Sequence, residues 1–129
     1  MTPEFTMLAF TLILAIVQIL AAATVGTARV GLAYNASPRD TARDPGVLAG
    51  RLTRAQANLF ETLPLFAAAV IMAQISGENG WLTLVGTHLY FFGRLIYAPV
   101  YALGVPYVRS LIWVGSLVGL CMVIAALFV

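Results

Sequence analysis

Apolar runs alternate with short polar segments along the whole chain. From Phe5 to Ala28 no charged residue occurs, and at about 1.5 Å of rise per residue such a run crosses a hydrocarbon core of roughly 30 Å with tilt to spare. The pattern predicts a first helix over about residues 5–34. Ala21-Ala22-Ala23 offers the small residues of a leader-cleavage site, but Glu4 stands where a positive segment belongs and the run is too long for a secretory signal. Between Tyr34 and Gly50 lie Asn35, Ser37, Pro38, Arg39, Asp40, Arg43, Asp44, Pro45 and Gly46, which is the chemistry of a solvated loop. A second helix over about 48–76 opens on Arg51, Arg54, Asn58 and Glu61 and turns apolar from Leu63 onward apart from Gln74. Ser76 to Gly80 forms a turn, and Trp81 opens a third helix (about 81–103) at the interfacial depth tryptophan prefers. Gly104-Val105-Pro106 ends it. A fourth helix follows over about 107–129, charged only at Arg109. The sequence therefore reads as one all-α domain over 1–129: an integral membrane four-helix bundle of up-down topology.

Composition sharpens that reading. The chain is 61% hydrophobic and 9% charged, where a soluble domain carries about 25% charge. Soluble enzymes, nucleic-acid binders and disordered tails are excluded on that balance. All seven cationic side chains are arginine, and their placement carries more than their number. Arg29, Arg39, Arg43, Arg51 and Arg54 flank the first polar segment and Arg94 and Arg109 the third, whereas the other side holds Glu4 and Glu78. By the positive-inside rule, the first and third loops face the cytoplasm and both termini face away. The lack of lysine beside abundant alanine and arginine hints at a GC-rich bacterial genome, and the membrane is then the inner one. The single cysteine, Cys121, excludes an intrachain disulfide or a cysteine-rich metal site. Its apolar neighbours predict a buried, inert thiol.

A charge inside a spanning helix costs about 2.5–3.5 kcal/mol on insertion scales, so it needs a partner, a cavity or a route to the interface. At 100° per residue, Arg51, Arg54, Asn58 and Glu61 fall within an arc of about 80°, and Tyr90, Arg94, Tyr97 and Tyr101 within about 60°. Two such stripes on neighbouring helices read either as one lined pocket or as structural glue, with Arg54 and Glu61 pairing with Arg94 or with each other. No nucleophile triad, phosphate loop or metal-ligand spacing occurs, and His88 has no second ligand near it, so no metal site is predicted. His88 reads as a packed or hydrogen-bonded helix residue. In the last helix, Gly115 and Gly119 are spaced as a close-packing face.

The string from Arg51 to Phe66, with Arg54, Asn58, Glu61 and then Pro64, closely resembles the signature of the MAPEG family, the membrane-associated proteins in eicosanoid and glutathione metabolism. Arg94-Leu-Ile-Tyr97-Ala-Pro-Val-Tyr101, followed by Arg109, resembles that family's second motif. The resemblance spans all four predicted helices and implies a homotrimer with glutathione, as co-substrate, bound at subunit interfaces near the cytoplasmic side. It implies that Arg54, Asn58 and Glu61 hold the charged ends of glutathione, that Arg94, Tyr97 and Tyr101 line the tripeptide, and that Gln56 and Arg29 reach in from the neighbouring subunit. Arg109 would face the thiol as the catalytic residue. The chemistry is coherent, because glutathione's two carboxylates need arginine forks and its ammonium needs a carboxylate. The implied activity is that of a glutathione transferase or glutathione-dependent peroxidase acting on small hydrophobic electrophiles dissolved in the bilayer. A non-catalytic glutathione- or lipid-binding protein that regulates a partner, and a small transporter or channel subunit, are the competing readings.

Overall fold

The computed structural model describes every residue from Met1 to Val129 and is helical throughout, with helices α1 (Pro3–Val30), α2 (Leu32–Ala36), α3 (Val47–Ser76), α4 (Trp81–Ala102) and α5 (Pro106–Ala126). Thr2 starts α1 by accepting the Phe5 amide on its hydroxyl at 3.2 Å, with Pro3 at the first helical position and Glu4 in the first turn. Each of these suits the positive N-terminal end of a helix. The first helix stops earlier than the predicted 34. Gly31 adopts φ +94, a conformation strained for any side chain, and its amide closes onto the Thr27 carbonyl at 2.8 Å. The five-residue α2 continues beyond this break, pinned where the Asn35 amide bonds the Thr27 hydroxyl. The sequence concealed the break, because Ala28 and Val30 precede the glycine and Leu32 and Ala33 follow it with no polar turn residue between them.

The loop after α2 is held against the bundle. Tyr34 accepts the Arg43 amide on its phenol at 2.9 Å, and the Arg43 guanidinium lies 4.7 Å over the Tyr34 ring while bonding the Val30 carbonyl. At the opposite end of the molecule the Gln74 carbonyl oxygen accepts from Thr2 and Asn79, and buried Glu4 accepts from Thr83 at 2.8 Å. These bonds tie the start of α1 to the end of α3 and the start of α4.

Leu59, Leu63, Phe66 and Val70 of α3 form the centre of the core, meeting Leu8 and Ala15 of α1, Tyr90 of α4, and Leu120 and Val123 of α5. The closest helix pair is α4 with α5. A Cβ on Gly86 would sit 2.6 Å from the Gly119 carbonyl, a Cβ on Gly119 would sit 2.6 Å from that of Gly86, and Gly93 faces Ser116. Gly115 meets nothing within 4 Å. The packing face on α5 is therefore Ser116 with Gly119, and the predicted Gly115–Gly119 pairing is corrected: α4 brings Gly93 against Ser116 and Gly86 against Gly119, and no neighbouring atom comes within 4 Å of a Cβ on Gly115. In lipid, such close backbone approach stabilises helix pairs where apolar burial alone does not.

Only 30 of 129 residues are buried, and the outer faces carry Leu12, Ile13, Ile16, Val17 and Leu20 on α1 and Leu111, Val114 and Val118 on α5. Cys121 is exposed among them, because its apolar neighbours face lipid instead of protein; the predicted burial is corrected. α1, α3 and α5 are each long and apolar enough to cross a membrane. α4 is 22 residues long and carries Arg94 and His88 in its middle.

Candidate functional site

Three helices converge where α3 begins, α4 ends and α5 starts. α3 brings Arg54, Asn58 and Glu61, α4 brings Arg94, Tyr97 and Tyr101, and α5 brings Arg109 in its first turns. Arg94 is the pivot. It is 1% exposed, its Nη1 donates to the Asn58 side-chain oxygen at 2.7 Å, and its guanidinium carbon lies 4.4 Å from the Tyr97 ring centre. Its Nε and Nη2 have no partner. Buried polar groups are almost always bonded, and a buried cation costs more than a neutral group, so these two donors mark a place built for something else.

Toward the end of the bundle the phenol of Tyr101 accepts from Arg54 Nε at 3.2 Å, and the Arg109 guanidinium lies 4.5 Å over the same ring. The Tyr97 and Tyr101 rings stand 5.7 Å apart, so one aromatic wall separates and orients three arginines. Both cation–ring contacts of Tyr101 hold guanidinium charge at fixed positions while leaving its edges available. Glu61 is exposed on the chain's outer face, one helical turn from Asn58. The glue pairing of the sequence reading does not form: Arg94 binds neutral Asn58, Arg54 binds a phenol, and neither reaches Glu61. The surface thus presents the Glu61 carboxylate and the guanidiniums of Arg54 and Arg109, with that of Arg94 enclosed beneath them. A ligand with two anionic ends and one ammonium matches that set.

Gln56 and Arg29 do not join this cluster. Gln56 is about 200° around α3 from Arg54. It lines a separate cavity of 440 Å³ between α1 and α3, together with Tyr34, Arg39 and Arg43. Arg29 lines a neighbouring recess beside Pro45 and Gly46. The polar residues of one chain therefore lie on separate faces.

At the inner end of the α4 stripe, Tyr90 is fully buried, stacks on Phe66 at 3.9 Å between ring centres and shares a 2.8 Å hydrogen bond with Thr62. Tyr90 belongs to the core and closes the stripe instead of extending it. His88 bonds the Leu84 carbonyl one turn back through its Nδ1 and takes no part in the cluster.

One polar residue is not singled out by the sequence, and a second has a partner that the sequence does not indicate. Gln18, the lone amide in the charge-free run of α1, is 6% exposed with its Oε1 unpartnered. Its isolation in that run was the available signal. Arg51 was read as part of the α3 stripe, yet it turns away to bond the Ala102 carbonyl, which no spacing rule foretells.

The family model described as MAPEG family matches residues 7–129. No curated protein and no solved structure matches the chain. A match over nearly the whole length, together with three apolar helices long enough to span a bilayer, identifies the chain as an integral membrane protein belonging to the MAPEG family, among the membrane proteins of eicosanoid and glutathione metabolism.

Proposed function

We propose that the protein is a glutathione transferase or glutathione-dependent peroxidase that uses small lipophilic electrophiles drawn from the bilayer. The observation that carries this reading is the pair of bare, buried donors on Arg94. A guanidinium enclosed without a counter-charge is tolerable where a ligand carboxylate completes it. Arg54 supplies a second fork for the other carboxylate, Glu61 takes the ammonium, and Asn58, Tyr97 and Tyr101 fix the peptide between them. Arg109 steadies the thiolate, which in the transferase reaction forms a thioether at an aryl carbon as halide leaves, and in the peroxidase reaction attacks a peroxide oxygen, breaking the O–O bond and releasing the alcohol, the resulting sulfenic acid giving glutathione disulfide and water with a second glutathione. Neighbouring cations lower a thiol pKa from about 8.5 into a range of roughly 3.5–7.5, so a large share of bound glutathione is thiolate at neutral pH.

In this reading α4 is the fourth span, and the protein assembles as a homotrimer. Gln56 and Arg29 of one subunit then complete the Arg54–Arg109 face of the next, which reconciles their separation in a single chain. The arginine-rich loops face the cytoplasm, where glutathione is available, and in a bacterium the membrane is the inner one. The test is a turnover assay of the purified protein with glutathione and an aryl halide or an organic hydroperoxide, paired with the ultraviolet thiolate band of bound glutathione. Conjugation or peroxide reduction with a thiolate signal is the expected result. Glutathione binding with neither would make the protein a regulatory binder, and no glutathione binding would overturn the reading.

A further inference from the structure

We infer that Arg51 is a positioning residue for Arg109, acting by clasping the turn between α4 and α5; this role rests on the proposed thiolate chemistry of Arg109. Every carbonyl at the end of α4 has a partner, and one of those partners comes from α3. A helix leaves its last four carbonyls without intrahelical partners. Here Pro99 is capped by the Leu103 amide at 3.0 Å, Val100 by Val105 at 3.3 Å and Tyr101 by Gly104 at 3.0 Å. The remaining one, Ala102, is capped from another helix, by Arg51 Nη1 at 3.2 Å. A cation at that place also suits the negative end of the helix dipole.

The guanidinium is fitted to the turn as well as bonded to it. A Cβ on Gly104 would sit 2.9 Å from Arg51 Cζ and from both of its terminal nitrogens, so the arginine occupies the space a side chain would take. Gly104 has φ +76, the left-handed conformation that turns the chain into Val105 and Pro106 at the start of α5. Arg109 follows within that first turn, over the ring of Tyr101. Its placement therefore depends on the path of residues 103–106, which Arg51 fixes to α3. Arg54 sits one turn further along α3 and bonds the Tyr101 phenol oxygen. Through Arg51 and Arg54, α3 sets both ends of the Tyr101–Arg109 contact.

The experiment uses the full-length protein in nanodiscs, with the variants Arg51→Met and Arg51→Lys. Glutathione affinity is read by calorimetry, the bound thiol by its thiolate absorbance against pH, and residues 103–105 by amide hydrogen exchange. The other charged or titratable groups about Arg109 are Arg54 on α3 and Tyr97 and Tyr101 on α4, and both variants retain all three. Arg51→Met is expected to keep glutathione affinity within about threefold while raising the pH midpoint of thiolate formation by about one unit. Exchange at 103–105 should quicken by about tenfold. Arg51→Lys, which keeps a cation and a donor, should recover most of both effects. An unchanged pH midpoint in Arg51→Met, beside a clear thiolate signal in the wild type, overturns the clasp alone. A wild type without thiolate signal at any pH overturns the proposed function and this role with it. If Arg51→Met does not fold, Arg51→Lys decides: a midpoint equal to wild type together with unprotected amides at 103–105 overturns the clasp.

Discussion

Arg94 carries the heaviest electrostatic burden in the molecule, since its guanidinium is enclosed and a single neutral oxygen bonds it. Breaking a buried ion pair usually destabilises by about 3–5 kcal/mol because a lone charge is left behind. Here the lone charge is already present, so the sign reverses. Arg94→Met should leave the ligand-free protein as stable as wild type or more so, while glutathione affinity falls by about tenfold or more. Thermal unfolding with and without glutathione measures both, and a ligand-free variant that unfolds early yet binds normally would make Arg94 a fold residue only. Glu61 has the opposite setting, exposed and unpaired. Glu61→Gln keeps its size but removes a charge-assisted contact worth about 1.5–3 kcal/mol, a loss of about tenfold to over a hundredfold in affinity by calorimetry with folding intact. Arg109→Ala separates binding from activation: affinity should stay within a few fold while turnover at neutral pH drops about ten- to a thousandfold and partly recovers at higher pH. Full turnover with an unshifted pH profile would move the thiol contact to another arginine. The members of the cluster were legible in the sequence because helical period decides which residues share a face. Their partners were not. Nothing in spacing tells an arginine to bond Asn58 in place of Glu61, or sends Arg51 to a carbonyl of another helix.

At the scale of helices, the same limit appears as rotation about an axis. The small residues of the last helix announced a close contact, yet a GxxxG spacing does not say how the helix is turned toward its neighbour, and Ser116 and Gly119 meet α4 while Gly115 faces outward. Two substitutions on one helix should therefore differ in sign. Gly115→Ala adds a methyl into open space and relieves a helix-interior glycine, stabilising by about 0.5–1 kcal/mol. Gly119→Ala drives a Cβ against the backbone of Gly86 and Tyr90, and destabilises by about 1–3 kcal/mol or more. Equal effects of the two on the unfolding midpoint in detergent would contradict the observed seam. The break at Gly31 was hidden for a related reason: hydropathy reports what a segment dissolves in, and a glycine at φ +94 changes the path of the chain without changing its solvent.

For the whole molecule, the division of polar residues between two faces is the decisive feature. Arg54, Glu61, Arg94 and Arg109 belong to one, Gln56 and Arg29 to the other. If the site forms where copies meet, native mass spectrometry in detergent should count three chains, and a stable monomer that still bound glutathione would sink the arrangement. Complementation tests it functionally. Subunits bearing Arg109→Ala mixed with subunits bearing Gln56→Ala should regain activity that neither assembly has alone, because some interfaces then join two intact faces; mixtures no better than the weaker parent would place every contact within one chain. The chain's single thiol, on the outer surface of α5, adds a practical consequence. A nitroxide attached to Cys121 needs no engineered background. In a threefold ring it would yield a single inter-spin distance with the modulation depth of three coupled electrons, so the protein already carries its own ruler for its symmetry.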